Sequence, residues 1–296
     1  MAKFNYLITC AGWEDRFLDG LKSNIKSHDF TKIIVLRVNE FTENTKANLS
    51  KLRELLSDDG FQEIEIFLLD DAKTWKILDA LFSDLAISNK SLCIDITTMP
   101  RFLIWFVMHF SEYYKNNTAY VYFQPERYEK CEWLTSDTEE PRLVFKHSGI
   151  FLPDQPTVLI IQTGFDIERV NQLIYSYEPN KVYLGAQVGE QFNNAIENLR
   201  KHKEHLQYQE IEYFEIDAFK GDYGYASMER IILDNKNTHN IIVSSFGPKP
   251  ASLAMFKLNQ EYPEIGLSYV LVKNYNDCYS HGTDVENVIS IGLNDL

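Results

Sequence analysis

Two loops of this chain place acids and an arginine beside a glycine and an aromatic ring. The first reads Gly12-Trp13-Glu14-Asp15-Arg16, and the second reads Gly164-Phe165-Asp166-Ile167-Glu168-Arg169. A glycine permits a tight turn, acids favour the first turn of a helix, and an arginine there can hold a phosphate or carboxylate bidentately. Helix capping alone would explain the acids. An arginine at the same place in both loops favours anion binding.

A second pair of segments consists of a polar turn followed by a proline and a cation. These segments read Asp95-Ile96-Thr97-Thr98-Met99-Pro100-Arg101 and Ser244-Ser245-Phe246-Gly247-Pro248-Lys249. Free backbone N–H groups at a helix start bind anions, and the hydroxyls and the cation would add donors. Threonine and serine also cap helices without any ligand. The recurring cation favours binding.

Four further residues are weaker candidates for contacts with a nucleotide. Glu40 and Glu190 follow the second predicted strand of each half, where a Rossmann sheet holds a ribose hydroxyl, although either could instead start a helix. Tyr128 and Tyr275 follow the last strand, where a ring can stack on a base. The glycine-rich dinucleotide fingerprint is missing, so we expect no coenzyme in the usual pose and no cofactor.

The cysteines and histidines do not predict a metal site. Cys10, Cys93, Cys131 and Cys278 lie far apart without a Cys-x-x-Cys pair, which favours reduced thiols. His202 and His205 lie in a charged segment that we expect to be a solvated helix end.

Composition limits the partners that the chain can bind. Its net charge of −14 argues against binding duplex nucleic acid along a basic face, but a small anionic ligand held by a few local donors remains possible. The first residues lack an apolar signal core, and no apolar run approaches the roughly 18 residues that span a bilayer. We therefore expect a cytoplasmic protein without a membrane partner.

Internal repeats indicate that the chain is a duplicated unit. The nine residues from Gln62 to Asp70 recur from Gln209 to Asp217 with six identities, and two other segments recur in the same order. Pro153 and Pro156 interrupt the pattern between the halves. The repeat predicts two units, residues 1–150 and 155–296.

Each half alternates apolar runs with segments of helical period. The predicted strands cover residues 5–10, 32–37, 63–69, 91–96 and 118–123, then 157–161, 181–185, 210–216, 240–244 and 267–272. Apolar strands separated by helices indicate a parallel sheet covered on both faces. The predicted fold class is α/β, with two tandem Rossmann-like units related by duplication as a pseudo-dimer. The leading strand order is 3-2-1-4-5, which places the ligand crevice between the loops after strands 1 and 4.

A strand 4 that ends in Asp95-Ile96-Thr97 and leads to a helix start with Pro100 and Arg101 resembles the CARF domains of CRISPR-associated proteins. Two such units in one chain resemble the SAVED arrangement of bacterial antiphage systems. The resemblance implies a sensor of cyclic oligonucleotides that acts on a separate effector protein, with one ligand held across the pseudo-twofold. Carried over by position, it implicates Gly12, Trp13, Arg16, Asp95, Thr97, Thr98, Arg101, Gly164, Arg169, Ser244, Ser245, Gly247 and Lys249.

Two alternatives to a sensor remain open. One is a nucleotide-processing enzyme of hydrolase or ring-nuclease type, in which Glu14, Asp95 or Asp166 is the base or nucleophile. The other is a scaffold that binds a partner protein. If the chain is a sensor, Arg16 and Arg101 contact the ligand and are replaceable without loss of folding.

Overall fold

The computed structural model describes residues 4–58, 64–70, 73–129, 133–188, 195–206, 208, 210–276 and 279–292. The chain forms two compact units, the first made of Met1–Arg127 with Ser280–Asp295 and the second of Tyr128–Tyr279. The observed limits differ from the predicted limits of 1–150 and 155–296. Residues 128–150 belong to the second unit, and residues 280–295 return to the first. In the described ranges, none of the helices combines the length and the apolar character needed to cross a membrane.

The first unit alternates strands and helices as predicted. Its elements are β1 (Tyr6–Cys10), α1 (Arg16–Ser27), β2 (Lys32–Val38), the 3-10 turn Asn39–Phe41, α2 (Thr42–Asp58), β3 (Ile64–Leu69), α3 (Thr74–Ile87), β4 (Leu92–Asp95), α4 (Arg101–Tyr113) and β5 (Thr118–Gln124).

The chain continues with three short strands and then repeats the alternation. The elements are β6 (Arg127–Tyr128), β7 (Thr135–Thr138), β8 (Arg142–Leu143), β9 (Thr157–Thr163), α5 (Ile167–Tyr177), β10 (Lys181–Gln187), α6 (Ala195–His205), β11 (Ile211–Ile216), α7 (Tyr225–Asn235), β12 (Asn240–Ser245), α8 (Pro250–Glu261), β13 (Gly266–Tyr269), β14 (Val272–Tyr275), β15 (Ser280–His281) and β16 (Asp284–Ile291). The single predicted strand at 267–272 is therefore two strands, of which β14 pairs with β7 outside the main sheet.

Both main sheets have the predicted strand order 3-2-1-4-5. The order is β3-β2-β1-β4-β5 in the first unit and β11-β10-β9-β12-β13 in the second, and these strands are parallel. One antiparallel strand extends each sheet, β16 beside β5 and β8 beside β13. The chain is thus a Rossmann-like α/β protein. Equal strand order does not establish a common origin of the halves, so duplication stays a prediction.

One ion pair recurs between the second and third strands of both sheets. Lys32 Nζ lies 2.7 Å from Glu65 Oε2 between β2 and β3, and Lys181 Nζ lies 2.6 Å from Glu212 Oε2 between β10 and β11. Each lysine is the first residue of its strand. The recurrence gives corresponding positions in the two sheets.

Each unit has its own apolar core. In the first, Phe17 and Leu21 are one helical turn apart on α1 and pack with Ile33 and Val35 of β2. In the second, Val170 and Leu173 of α5 join the corresponding cluster. The packed cores fix the carboxyl ends of the strands, where the predicted site residues lie.

Candidate functional site

Arg16 is held inside the first unit. Its Nε donates to Glu14 Oε2 over 2.9 Å, its Nη2 pairs with the same oxygen, and its Nη1 donates to the carbonyl of Phe123 over 3.2 Å. The residue is only 4% exposed. Arg16 therefore ties the loop after β1 to the end of β5. Because it is part of a buried ion pair, the expectation that it is replaceable without loss of folding conflicts with this structure.

Asp95 and Thr97 shape the turn after β4. Asp95 Oδ1 accepts from the Thr97 backbone N–H over 2.9 Å, and Oδ2 accepts from the Asn24 amide over 3.1 Å. Thr97 Oγ1 accepts from the Phe123 N–H over 3.0 Å. Both residues are buried. Burial raises the pKa of the Cys93 thiol, and the nearby charge of Asp95 raises it further.

The loops after β1 and β4 pack directly against each other. A Cβ on Gly12 would lie 2.6 Å from the Cβ of Thr98, and Thr98 Oγ1 donates to the Cys10 carbonyl over 2.6 Å. Only glycine fits at position 12 without displacing Thr98. Trp13, which lies edge-on to Phe41 at 5.3 Å, is half-buried at the surface of these loops. Arg101, the first residue of α4, is half-buried too.

The equivalent loops of the second unit meet through two glycines. A Cβ on Gly164 would lie 3.2 Å from the Cα of Gly247, and a Cβ on Gly247 would overlap the amide of Gln162. Gln162 Oε1 accepts from Ser245 Oγ over 2.8 Å and from the Gly247 N–H over 3.1 Å. Sequence reasoning missed Gln162. The available signal was a polar glutamine near the end of an apolar strand. Its side chain is fully buried in the structure.

The two serines at the end of β12 bond inside the unit. Ser244 Oγ donates to the Ser268 carbonyl over 2.8 Å, and Ser245 donates to Gln162 as described. Both serines are buried. Lys249 is half-buried and forms the N-cap of α8. These hydroxyls therefore stabilise the turn in this structure, and their predicted contact with a ligand stays a prediction.

Arg169 forms a buried ion pair with the acid that caps its helix. Its Nε donates to Asp166 Oδ2 over 2.6 Å, and its backbone N–H donates to Oδ1 over 3.0 Å. Thr135 Oγ1 also donates to this carboxylate, at 2.9 Å from Oδ2. The guanidinium carbon lies 4.7 Å from the centre of the Phe246 ring. The Arg169 side chain is 7% exposed.

The charge of Arg169 persists despite this burial. Burial itself disfavours the cation, but Asp166, Tyr275 and Tyr279 outweigh that effect and raise the pKa of Arg169 above its ordinary value. Of the guanidinium nitrogens, only Nε donates to another of the described residues. Arg169 differs in this from Arg16, whose three nitrogens all donate within the first unit.

Three aromatic rings lie close together, and one of them, Tyr279, interacts electrostatically with this arginine. The Tyr128 ring centre is 5.8 Å from that of Phe165 and 6.4 Å from that of Tyr279. All three side chains are half-buried, as is Tyr275. We call Tyr128, Phe165, Arg169, Phe246 and Tyr279 the aromatic–arginine cluster. Sequence reasoning named Tyr128, Phe165 and Arg169 but missed Phe246 and Tyr279.

Two further candidates are the acids that follow the second strands. Glu40 is exposed in the 3-10 turn after β2, and Glu190 lies outside the described residues. The expectation that His202 is solvated was wrong, because its Nε2 lies 2.8 Å from Thr163 Oγ1 and the residue is 1% exposed. His202 lies on the buried face of α6, whereas His205 is exposed.

The fold and the sheet edges define a Rossmann-like α/β protein with two units. No family model and no curated protein matches the chain. Among solved structures, the cytoplasmic domain of a prokaryotic cation chloride cotransporter is similar at 11% identity and a TM-score of 0.29, covering 94% of this chain and 98% of that one. The ketoreductase from the first module of phoslactomycin biosynthesis in Streptomyces sp. HK803 is similar at 10% identity and a TM-score of 0.27, covering 89% of this chain and 59% of that one. These TM-scores are too low to support any argument about function.

Proposed function

We propose that this chain is a binding protein for a small anionic nucleotide, and that the aromatic–arginine cluster of the second unit contacts the ligand. The observation that carries the proposal is a buried, permanently charged arginine in contact with the Phe246 ring and near Tyr279, which belongs to a group of three half-buried aromatic rings. A guanidinium supports bidentate recognition of phosphate, and aromatic rings stack on bases. The cluster thus combines the two chemistries that a nucleotide requires.

The second unit suits an anion better than the first. Arg16 uses its Nε and both terminal nitrogens in bonds to Glu14, Phe123 and Tyr122. The terminal nitrogens of Arg169 form no hydrogen bond with any residue that the structure describes, while Asp166 holds Nε in place. A phosphate oxygen would supply the acceptors that these donors lack.

The hydrogen bonds and ion pairs of the candidate carboxylates favour ligand binding over catalysis. Glu14 is paired with Arg16, and Asp95 accepts from Thr97 and Asn24. Asp166 caps α5 and pairs with Arg169. A general base must be able to take a proton from a bound substrate. All three carboxylates named as catalytic candidates instead hold loops in place.

The test is a calorimetric titration of mononucleotides, dinucleotides and cyclic oligonucleotides into wild type and three variants. Arg169→Lys keeps a cation beside Asp166 but removes the planar fork, so we expect binding to weaken by about 1.5–3 kcal/mol. Phe165→Ala should cost about 1–3 kcal/mol through lost stacking. Arg200→Lys is the matched control, because Arg200 is exposed and pairs only with Glu204 among the described residues. Equal affinity in all four proteins would reject the proposal.

The proposal also includes a biological role for the chain once it has bound the nucleotide. On the resemblance to CARF and SAVED proteins, we propose that it works in the cytoplasm of a bacterium, in antiviral defence, and that the ligand alters its contact with a separate effector protein. Purification of the tagged chain from cells with and without the nucleotide tests this extension. An effector that is retained equally in both preparations would contradict it.

A further inference from the structure

A cavity of about 410 Å³ lies in the first unit, between α1 and the turn before β16. Small-molecule sites are typically concave and about 300–1,000 Å³ in volume. The side chains that carry polar or charged groups into the lining are Asp19, Lys22, Ser23, Lys26, Glu126 and Thr283. The cavity therefore has the volume of a small-molecule site, and its lining suits a charged ligand.

Charges of both signs line this cavity without neutralising one another. Lys22, Lys26 and Glu126 are exposed, and none of them forms an ion pair with another residue that the structure describes. Asp19 Oδ2 accepts a hydrogen bond from Thr283 Oγ1 over 3.0 Å. A ligand that carries an ammonium and a carboxylate would complement both kinds of charge.

The Glu126 carboxylate lies against the backbone of Gly282. A Cβ at position 282 would overlap this carboxylate, and the φ of 70° at Gly282 also favours glycine. The turn before β16 thus leaves room for an acid at the cavity wall.

Asp19 has a counterpart on α5 of the second unit. Counted from the loop arginine of each unit, Asp19 and Gln172 hold the same place in the sequence. Each accepts a hydrogen bond from a threonine outside its helix. Thr283 Oγ1 donates to Asp19 as described, and Thr138 Oγ1 lies 3.3 Å from Gln172 Oε1. The two helix faces therefore correspond in their contacts as well as in sequence.

The next turn of the two helices differs in what contacts a shared serine. Ser23 and Ser176 also hold the same place in the sequence. Ser176 Oγ donates to Glu140 Oε2 over 3.1 Å. The Ser23 hydroxyl bonds to none of the described residues and lines the cavity. A carboxylate of the chain thus binds the serine of the second unit, whereas the cavity lies beside the serine of the first.

The first unit also places cations around its serine. Lys22 and Lys26 stand where the second unit has Tyr175 and Pro179. Both lysines line the cavity together with Ser23. A carboxylate that enters the cavity would therefore meet a hydroxyl donor and two ammonium groups, which favour it through charge-assisted hydrogen bonds.

We propose that this cavity binds a small zwitterion with an ammonium at one end and a carboxylate at the other. The carboxylate accepts a hydrogen bond from Ser23 and pairs with Lys26, as the Glu140 carboxylate accepts one from the serine of the second unit. The ammonium pairs with Asp19 and Glu126. The ligand class follows from the charges of the lining and from the carboxylate that the second unit supplies itself.

The spacing of the lining residues sets the length of the ligand. Asp19 and Ser23 are one helical turn apart on α1, which separates them by about 6 Å along the helix axis. Extended γ-aminobutyrate and δ-aminovalerate can span that separation between their charged ends. Glycine and β-alanine are too short to reach both groups.

The direct test is a calorimetric and NMR titration of the full chain with glycine, β-alanine, γ-aminobutyrate and δ-aminovalerate. We expect saturable binding of one molecule per chain, with at least tenfold higher affinity for the two longer compounds than for glycine. Butyrate and butylamine, which each keep one charge, should bind at least tenfold more weakly than γ-aminobutyrate. Absence of saturable binding of the longer zwitterions, or equal affinity for butyrate, would overturn the proposal.

Two variants locate the bound zwitterion. Lys26→Gln and Glu126→Gln each remove one charge from an exposed side chain, so both should fold, and each should weaken binding of γ-aminobutyrate at least tenfold. Lys76→Gln and Glu286→Gln are the matched controls, because both residues are exposed in the first unit and do not line the cavity. Unchanged binding in either cavity variant would overturn the proposal.

A charge reversal tests the orientation of the ligand. Glu126→Lys places a cation where the ammonium is expected to bind. The preference for δ-aminovalerate over glutarate, which has a carboxylate at both ends, should then fall at least tenfold. An unchanged preference would contradict the assignment of the ammonium to the side of Glu126.

Discussion

Arg169 donates from Nε to Asp166 Oδ2 over 2.6 Å, and both side chains are almost completely buried. A carboxylate in this position caps α5 and neutralises the arginine at the same time. The pair therefore holds a cation at the edge of the second sheet that would otherwise be costly to bury.

Asp166→Asn should destabilise the protein strongly. Asparagine retains the capping shape but leaves Arg169 as an uncompensated buried charge, so we expect a loss of roughly 3–5 kcal/mol in the free energy of unfolding. Urea denaturation measures it. Glu204→Gln is the control, because it breaks an exposed pair with Arg200 that is worth at most about 1 kcal/mol. Similar small losses in both variants would contradict the buried-pair account.

Gly247→Ala should be destabilising because of crowding. A Cβ at this position would overlap the Gln162 amide, which is buried and held by Ser245. Such overpacking typically costs about 1–3 kcal/mol. In a Gln162→Ala background, the same substitution should cost much less. Thermal unfolding of the four proteins of this cycle measures the coupling, and additive effects would refute the crowding argument.

His147 should make stability fall as the pH is lowered. Burial, with a smaller contribution from Lys146, lowers the pKa of His147 below its usual 6.5 although the Asn259 hydrogen bond opposes the shift. Below about pH 6.5 the unfolded chain therefore takes up a proton that the folded chain does not, at a cost of up to about 1.4 kcal/mol per pH unit.

The measurement for His147 is urea denaturation at several pH values between 7.5 and 5, at about half-unit steps. His147→Gln should remove this part of the slope, since glutamine does not titrate. His205→Gln, at an exposed position, serves as the control. An unchanged slope in His147→Gln would assign the pH dependence to other groups.

The parallel α/β class was predictable because its determinants are local, whereas the strand order was only the leading candidate. Apolar runs alternate with helical segments, and right-handed crossovers leave few topologies for such a chain. The unit limits were not predictable in the same way. β8 has two residues and most of β16 is exposed, so neither has an apolar pattern, and their places depend on distant partners in β13 and β5.

The positions of the candidate arginines were predictable, but their pairing was not. Sequence placed Arg16 and Arg169 at or near the start of the helix after the first strand of each half, and they lie in the first turns of α1 and α5. It could not show that acids of the same loops would neutralise them, because that depends on side-chain direction. His202 was missed for a related reason. His202 lies in a charged segment, and the sequence does not show that its ring contacts Thr163.

The most direct test of the account is equilibrium binding of nucleotides to the wild-type chain, with analysis of the nucleotide afterwards. We predict saturable binding of at least one anionic nucleotide, weakened by added salt because a charge contact contributes, and recovery of the nucleotide unchanged. No binding across the series of mononucleotides, dinucleotides and cyclic oligonucleotides would contradict the proposed function. If the wild-type chain converts the nucleotide and either Asp95→Asn or Glu14→Gln abolishes that conversion, the proposal of a binding protein is wrong and the chain is an enzyme.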